Sequence, residues 1–129
     1  MDPCDGIYLG SLSFFEDGND IGIDVMNYGF GDRKIVGIFF DWAPGNDELK
    51  FIELHPASTD PKIWDRGDED SPTDIPSEGG WRSGGDRYIP MGWTKMLTFF
   101  FSKPKPAEPY DYFLKVRFDN GCTRTFPDF

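Results

Sequence analysis

His55 is the lone histidine of the chain, and Cys4 and Cys122 are its two cysteines. A thiol beside an imidazole is the smallest acyl-transfer pair. Here His55 precedes Pro56 at the end of a short apolar run, with no other mark of such enzymes, so it reads as a surface loop residue. The same three residues lack the short ligand spacings of zinc sites. The 23 acidic residues could in pairs cleave glycosidic bonds, but almost any pair qualifies, so the pattern selects nothing. Calcium asks for several oxygens from one or two loops. Asp68, Asp70 and Asp74 lie close together, as do Asp17, Asn19 and Asp20, though neither cluster has EF-hand spacing. The alternative is a solvated acidic loop. No cofactor is expected, with calcium on Asp68, Asp70 and Asp74 left open.

Aromatic residues offer a different chemistry. Trp64, Trp81 and Tyr88, with Trp93 beside them, sit in or next to a long irregular stretch. Their rings could form a ligand-binding platform that stacks on sugars, with Arg82, Asp86 and Arg87 orienting hydroxyls. The alternative is that the rings pin that stretch to the core. Gly79-Gly80 and Gly84-Gly85 do not form a phosphate-binding or dinucleotide fingerprint.

The formal net charge of −10, from 23 acidic against 13 basic residues, argues against nucleic acid as a partner, since phosphate contacts need clustered Lys and Arg. It also disfavours anionic membrane surfaces. No run approaches the length of a membrane span, so no membrane insertion is expected. Met1-Asp2-Pro3 lacks the basic start and apolar stretch of a leader; an exported chain is then expected to be a mature fragment with an added Met.

The elements that must hold these residues are strands. Aromatics make up 17% of the chain, thirteen Phe among them, while fifteen Gly and eleven Pro interrupt it often; aromatic and β-branched residues favour strands, and Gly and Pro mark turns. Strand-like runs cover 7–14, 21–26, 35–42, 49–54, 94–101, 110–118 and 122–126. In the third run Val36, Ile38, Phe40 and Trp42 are placed on the core face, with Ile35 and Phe39 on the other. In the sixth, Tyr110, Tyr112, Leu114, Val116 and Phe118 share a face. Asn120-Gly121 suits a two-residue type I′ hairpin. Residues 55–93 are broken by Pro56, Pro61, Pro72, Pro76 and Pro90 and read as one long irregular connection, with only Ile63-Trp64 and Tyr88-Ile89 as brief strand pieces. Both faces of 35–42 and 94–101 are apolar, which suits covered strands or a subunit contact.

Together these predict one all-β domain over 1–129, a sandwich of about seven strands. Cys4 and Cys122 at its two ends read as a disulfide tying the termini, with buried free thiols as the alternative. Such a bond implies an oxidising, extracellular or cell-surface setting.

The order of Cys4, Asn27-Tyr28-Gly29, Ile38-Phe39-Phe40-Asp41-Trp42 and Phe118-Asp119-Asn120-Gly121-Cys122 resembles immunoglobulin-like modules of exported bacterial proteins, surface and pilus-associated ones included. The resemblance spans Cys4 to Phe126. It departs from antibody-type domains, whose disulfide crosses the core between the second and sixth strands. It implies a scaffold and carries no catalytic residue. The function it implies is a non-enzymatic structural or adhesive module with a protein partner or self-assembly. A carbohydrate-binding module using the loop aromatics, with a glycan as partner, is the alternative.

Overall fold

Strand-length alternation leaves the chain no helical stripe to bury, and the chain folds into β-structure throughout the described residues. The structure is a computed structural model that describes residues 3–14, 20–42, 48–57, 61–69, 71–75, 80–82, 85–102 and 112–127, without the side chains of residue 14 and of 66–69. Among the described residues ten strands run in chain order: β1 Ile7–Phe14, β2 Asp20–Asn27, β3 Arg33–Asp41, β4 Leu49–His55, β5 Lys62–Glu69, β6 Thr73–Ile75, β7 Tyr88–Ile89, β8 Trp93–Phe101, β9 Phe113–Phe118 and β10 Thr123–Phe126. They form two antiparallel sheets, ordered β1-β2-β8-β4-β5 and β10-β9-β3-β6, with β7 also on β3. The fold is an all-β sandwich.

Inward side chains of both sheets make one core. Ile21, Ile23 and Val25 of β2 and Leu97, Phe99 and Phe101 of β8 meet Ile38 and Phe40 of β3 and Leu114, Val116 and Phe118 of β9. Phe40 and Phe99 span the layers with ring centres 4.3 Å apart, and Trp42 lies 5.5 Å from Phe101. Each such ring pair contributes roughly 0.5–1.5 kcal/mol beyond its area burial.

Ten strands replace the expected seven because the 55–93 connection is not structureless. It contributes β5, β6 and β7. β5 is an edge strand with an apolar pair, Ile63 and Trp64, in a charged sequence. β6 and β7 hold three and two residues. The two brief pieces expected at Ile63-Trp64 and Tyr88-Ile89 lie in β5 and β7, with β5 extended to eight residues by backbone pairing, and only β6 had no mark in the sequence.

Two further expectations are corrected. Ile35 is fully buried and Val36 only half-buried, the reverse of the assigned faces. The β3–β9 register shifts between Ile35 and Gly37; a bulge inserts one residue and flips the alternation on its far side. The β9–β10 hairpin is also not a two-residue type I′ loop. Phe118 pairs with Cys122, its N donating to Cys122 O at 2.8 Å. The loop is therefore Asp119-Asn120-Gly121, with Gly121 N donating to Phe118 O at 3.1 Å and Gly121 at φ 90°. This is the three-residue turn closed by a left-handed glycine.

The two sheets are joined along both long sides of the sandwich. Cys4 and Cys122 are disulfide-bonded, Cα–Cα 4.8 Å, joining the edges of the two sheets at β1 and β10. Arg124 donates to Ile7 O (2.7 Å) and Cys4 O (3.0 Å), and Asn120 donates to Pro3 O (2.7 Å). On the opposite side the chain crosses from β5 to β6. There Ser71 Oγ accepts from Trp42 N (2.9 Å) and donates to Asp41 Oδ1 (2.9 Å).

Candidate functional site

Strand register gathers four segments at one end of the sandwich. Asn27 stands opposite both Ile7 and Trp93, and Arg33 and Lys34 stand opposite Ile89 and Tyr88. The β2–β3 loop and the β7–β8 turn therefore meet there. Both are glycine-rich: Asn27-Tyr28-Gly29-Phe30-Gly31-Asp32 and Pro90-Met91-Gly92-Trp93. Trp93 N donates to Pro90 O (3.0 Å), and Gly92 has φ 86°, the conformation a type II turn requires at its third position. Gly31, at φ 85°, lets the opposing loop double back.

Asn27 is the frame of this end. It is 1% exposed. Its Nδ2 donates to Ile89 O (2.8 Å) and Gly31 O (3.0 Å), and its Oδ1 accepts from Gly29 N (3.3 Å). Its backbone O accepts from Gly92 N (2.6 Å). The loops are also tied directly. Met91 N donates to Asp32 Oδ1 (3.0 Å) and Gly31 N donates to Met91 Sδ (3.3 Å). Arg33 donates to Phe30 O (2.6 Å) and Asp32 O (2.9 Å).

On this frame five large apolar side chains point into solvent: Tyr28, Phe30, Tyr88, Met91 and Trp93. Phe30 is 85% exposed. Covering one such ring is worth roughly 2 kcal/mol, and here the fold does not take it. Tyr28 OH pairs with Thr94 Oγ1 at 2.9 Å. Lys95 lies beneath, 4% exposed, with Nζ 3.7 Å from Asp86 Oδ2 and 6.0 Å from the Trp93 ring centre. A bonded frame presenting rigid aromatic rings has the make-up of a recognition surface, because rigid rings give contact area at low entropic cost.

The sequence-expected site residues do not converge. Trp64 is fully buried in the core, so no face of its indole is open to a sugar. Trp81 is partly buried, with the Arg87 guanidinium 4.6 Å over its ring. Tyr88 is exposed at the aromatic end, with Lys34 Nζ 5.5 Å from its ring centre. Arg87 also donates to Ile35 O at 2.9 Å; burial lowers its pKa, partly opposed by Tyr88. Trp64 and Trp81 thus do the anchoring that was the alternative to stacking.

Asp74 pairs with Arg117 at 3.5 Å. Asp70 and the side chain of Asp68 lie outside the described residues, and among the described residues no group of three or more His, Cys, Asp or Glu could hold a metal. His55 is exposed on β4 against Glu53 (2.7 Å), and both cysteine sulfurs are consumed by their bond, so a cysteine–histidine pair has no nucleophile. Sequence reasoning missed Tyr28, Phe30 and Met91. The available signal was aromatic residues set between glycines, where no strand could bury them.

No protein-family model matches the chain, and no curated protein matches it. Among solved structures, the archaellum periplasmic stator protein FlaG from Sulfolobus acidocaldarius is similar over 93% of this chain and 97% of that one, at 11% identity and a TM-score of 0.42. Likeness at that level bears on neither ancestry nor role.

Proposed function

We propose that this protein is a non-enzymatic structural or adhesive module of an extracellular or cell-surface assembly, and that it contacts its neighbour through the aromatic end. The observation that carries this reading is Phe30, 85% exposed on loops that Asn27 holds at both Gly31 and Ile89. Exposed rings on rigid loops are the usual anchors of protein interfaces. The disulfide supports the location, since such bonds persist in oxidising compartments. Kinship with exported bacterial surface modules is part of the same proposal. The glycan alternative retains Tyr88 and, at the margin, Trp81, but it loses Trp64.

The test uses a photo-reactive residue in place of Phe30, with a second at Ser13 as control. Ser13 is exposed on β1. In the producing cells, Phe30 should give a discrete protein adduct and Ser13 should not. Equal labelling at both, or no adduct from Phe30, overturns the reading. A glycan array with Tyr88→Ala as control is expected to stay blank.

A further inference from the structure

We infer that the neighbour at the aromatic end is a second copy of this chain, docked end to end about a two-fold axis. This rests on the proposed function and names its partner. The argument is one of charge and area. Segments 4–6, 28–34, 86–95 and 119–121 meet at this end, linked by bonds from Tyr28 N to Gly6 O (2.8 Å) and from Asp119 N to Lys34 O (2.9 Å). They carry four acids (Asp5, Asp32, Asp86, Asp119) and four bases (Arg33, Lys34, Arg87, Lys95). The end is neutral, and the rest of the chain holds the whole net charge of −10.

Two such chains repel wherever their charged surfaces approach, and the repulsion fades beyond a Debye length of about 8 Å at physiological salt. An end-to-end pair puts the neutral apolar surfaces in contact and the acidic bodies farthest apart. With the Lys95–Asp86 pair internal to each copy, Asp5, Asp32 and Asp119 still balance Arg33, Lys34 and Arg87, and balanced charges of both signs are self-complementary, as a two-fold interface demands. The five exposed side chains present about 600 Å², taking roughly 200 Å² for each ring or thioether. Two copies would bury on the order of 1,000 Å², the lower limit for a specific interface. In such a contact Phe30 of each copy packs on Met91 and Trp93 of the other, a sulfur–aromatic pairing. The half-buried pairs Phe51–Phe100 and Phe39–Phe113 on the outer sheet faces offer no comparable argument, since nothing on those faces says what would cover them.

Sedimentation equilibrium of the purified protein tests this. The mass should climb from one copy to two between about 1 µM and about 1 mM, the range for an interface of minimal size. It should stop at two. Added salt should tighten the pair by screening the −10 bodies. Phe30→Asp should weaken association at least about tenfold while leaving the thermal midpoint unchanged at dilutions where the chain is a monomer, because Phe30 is exposed. A strict monomer, growth beyond two copies, or association indifferent to Phe30→Asp overturns the inference. A monomer whose Phe30 cross-linker still captures a foreign chain in cells overturns only the identity of the partner and leaves the proposed function standing; the absence of any adduct removes that function as well.

Discussion

Asn27 satisfies Gly29 N, Gly31 O and Ile89 O with one buried side chain. Asn27→Ala strands those groups and should cost about 2–4 kcal/mol, since each buried unpaired group forfeits about 1–3 kcal/mol; chemical denaturation measures it. Asn27→Asp should be worse at neutral pH, because a carboxylate would face two carbonyl oxygens. Its proton is held more tightly folded than unfolded, so its stability deficit grows as pH rises through the ordinary carboxyl range. Lys95 follows the opposite logic. It is almost fully buried beside the half-exposed Asp86, and replacing a buried ion by an apolar isostere is often neutral. Lys95→Met should leave stability within about 1 kcal/mol. Asp86→Ala, which leaves the ammonium buried without its partner, should destabilise more than Lys95→Met does. A reversed order in paired melts would mean that the ion pair itself stabilises this end.

At the scale of elements, turns and bulges decide what the alternation cannot. Gly6 has φ 81°, and a Cβ there would collide with the backbone of Gly29. Gly92 has φ 86° but open space around it. Gly92→Ala should therefore cost only the left-handed penalty of about 1–2 kcal/mol, and Gly6→Ala distinctly more; equal midpoints in thermal melts would contradict the packing of Gly6 on Gly29. The central strands were legible because their alternation is strong: Tyr112, Leu114, Val116 and Phe118 are all buried. The face of Ile35 was not, because one extra residue between Ile35 and Gly37 inverts the phase without any sequence mark. Only the Ile63-Trp64 pair of β5 was legible, because an edge strand needs one apolar pair and charged residues fill most of the rest of it.

For the whole molecule, the disulfide and the β5–β6 crossover close the two sides of the sandwich. A bond spanning 118 residues stabilises by up to about 5 kcal/mol in the chain-entropy view. Arg124 and Asn120 hold the same seam without it. The Cys4→Ser, Cys122→Ser variant should thus remain folded with a lower denaturation midpoint. Loss of all cooperative unfolding in that variant would show that the non-covalent seam contributes little.

The sequence by itself determined the fold class, seven of the strands and the burial of their alternate residues, because hydrophobic periodicity is a local property that water reads directly. It also set the excess of acid and the pairing options of two lone cysteines. Only the tertiary structure decided that Trp64 belongs to the core while Phe30 does not. Both are aromatic residues in glycine- or proline-broken stretches, and the glycines flanking Phe30 are a local hint that does not by itself fix the burial of either ring. The difference is made by long-range contacts: β5 pairs with β4, Trp64 opposite Ile52, and Trp64 joins the core shared by the two sheets, whereas Asn27 draws two distant loops together and leaves Phe30 outside.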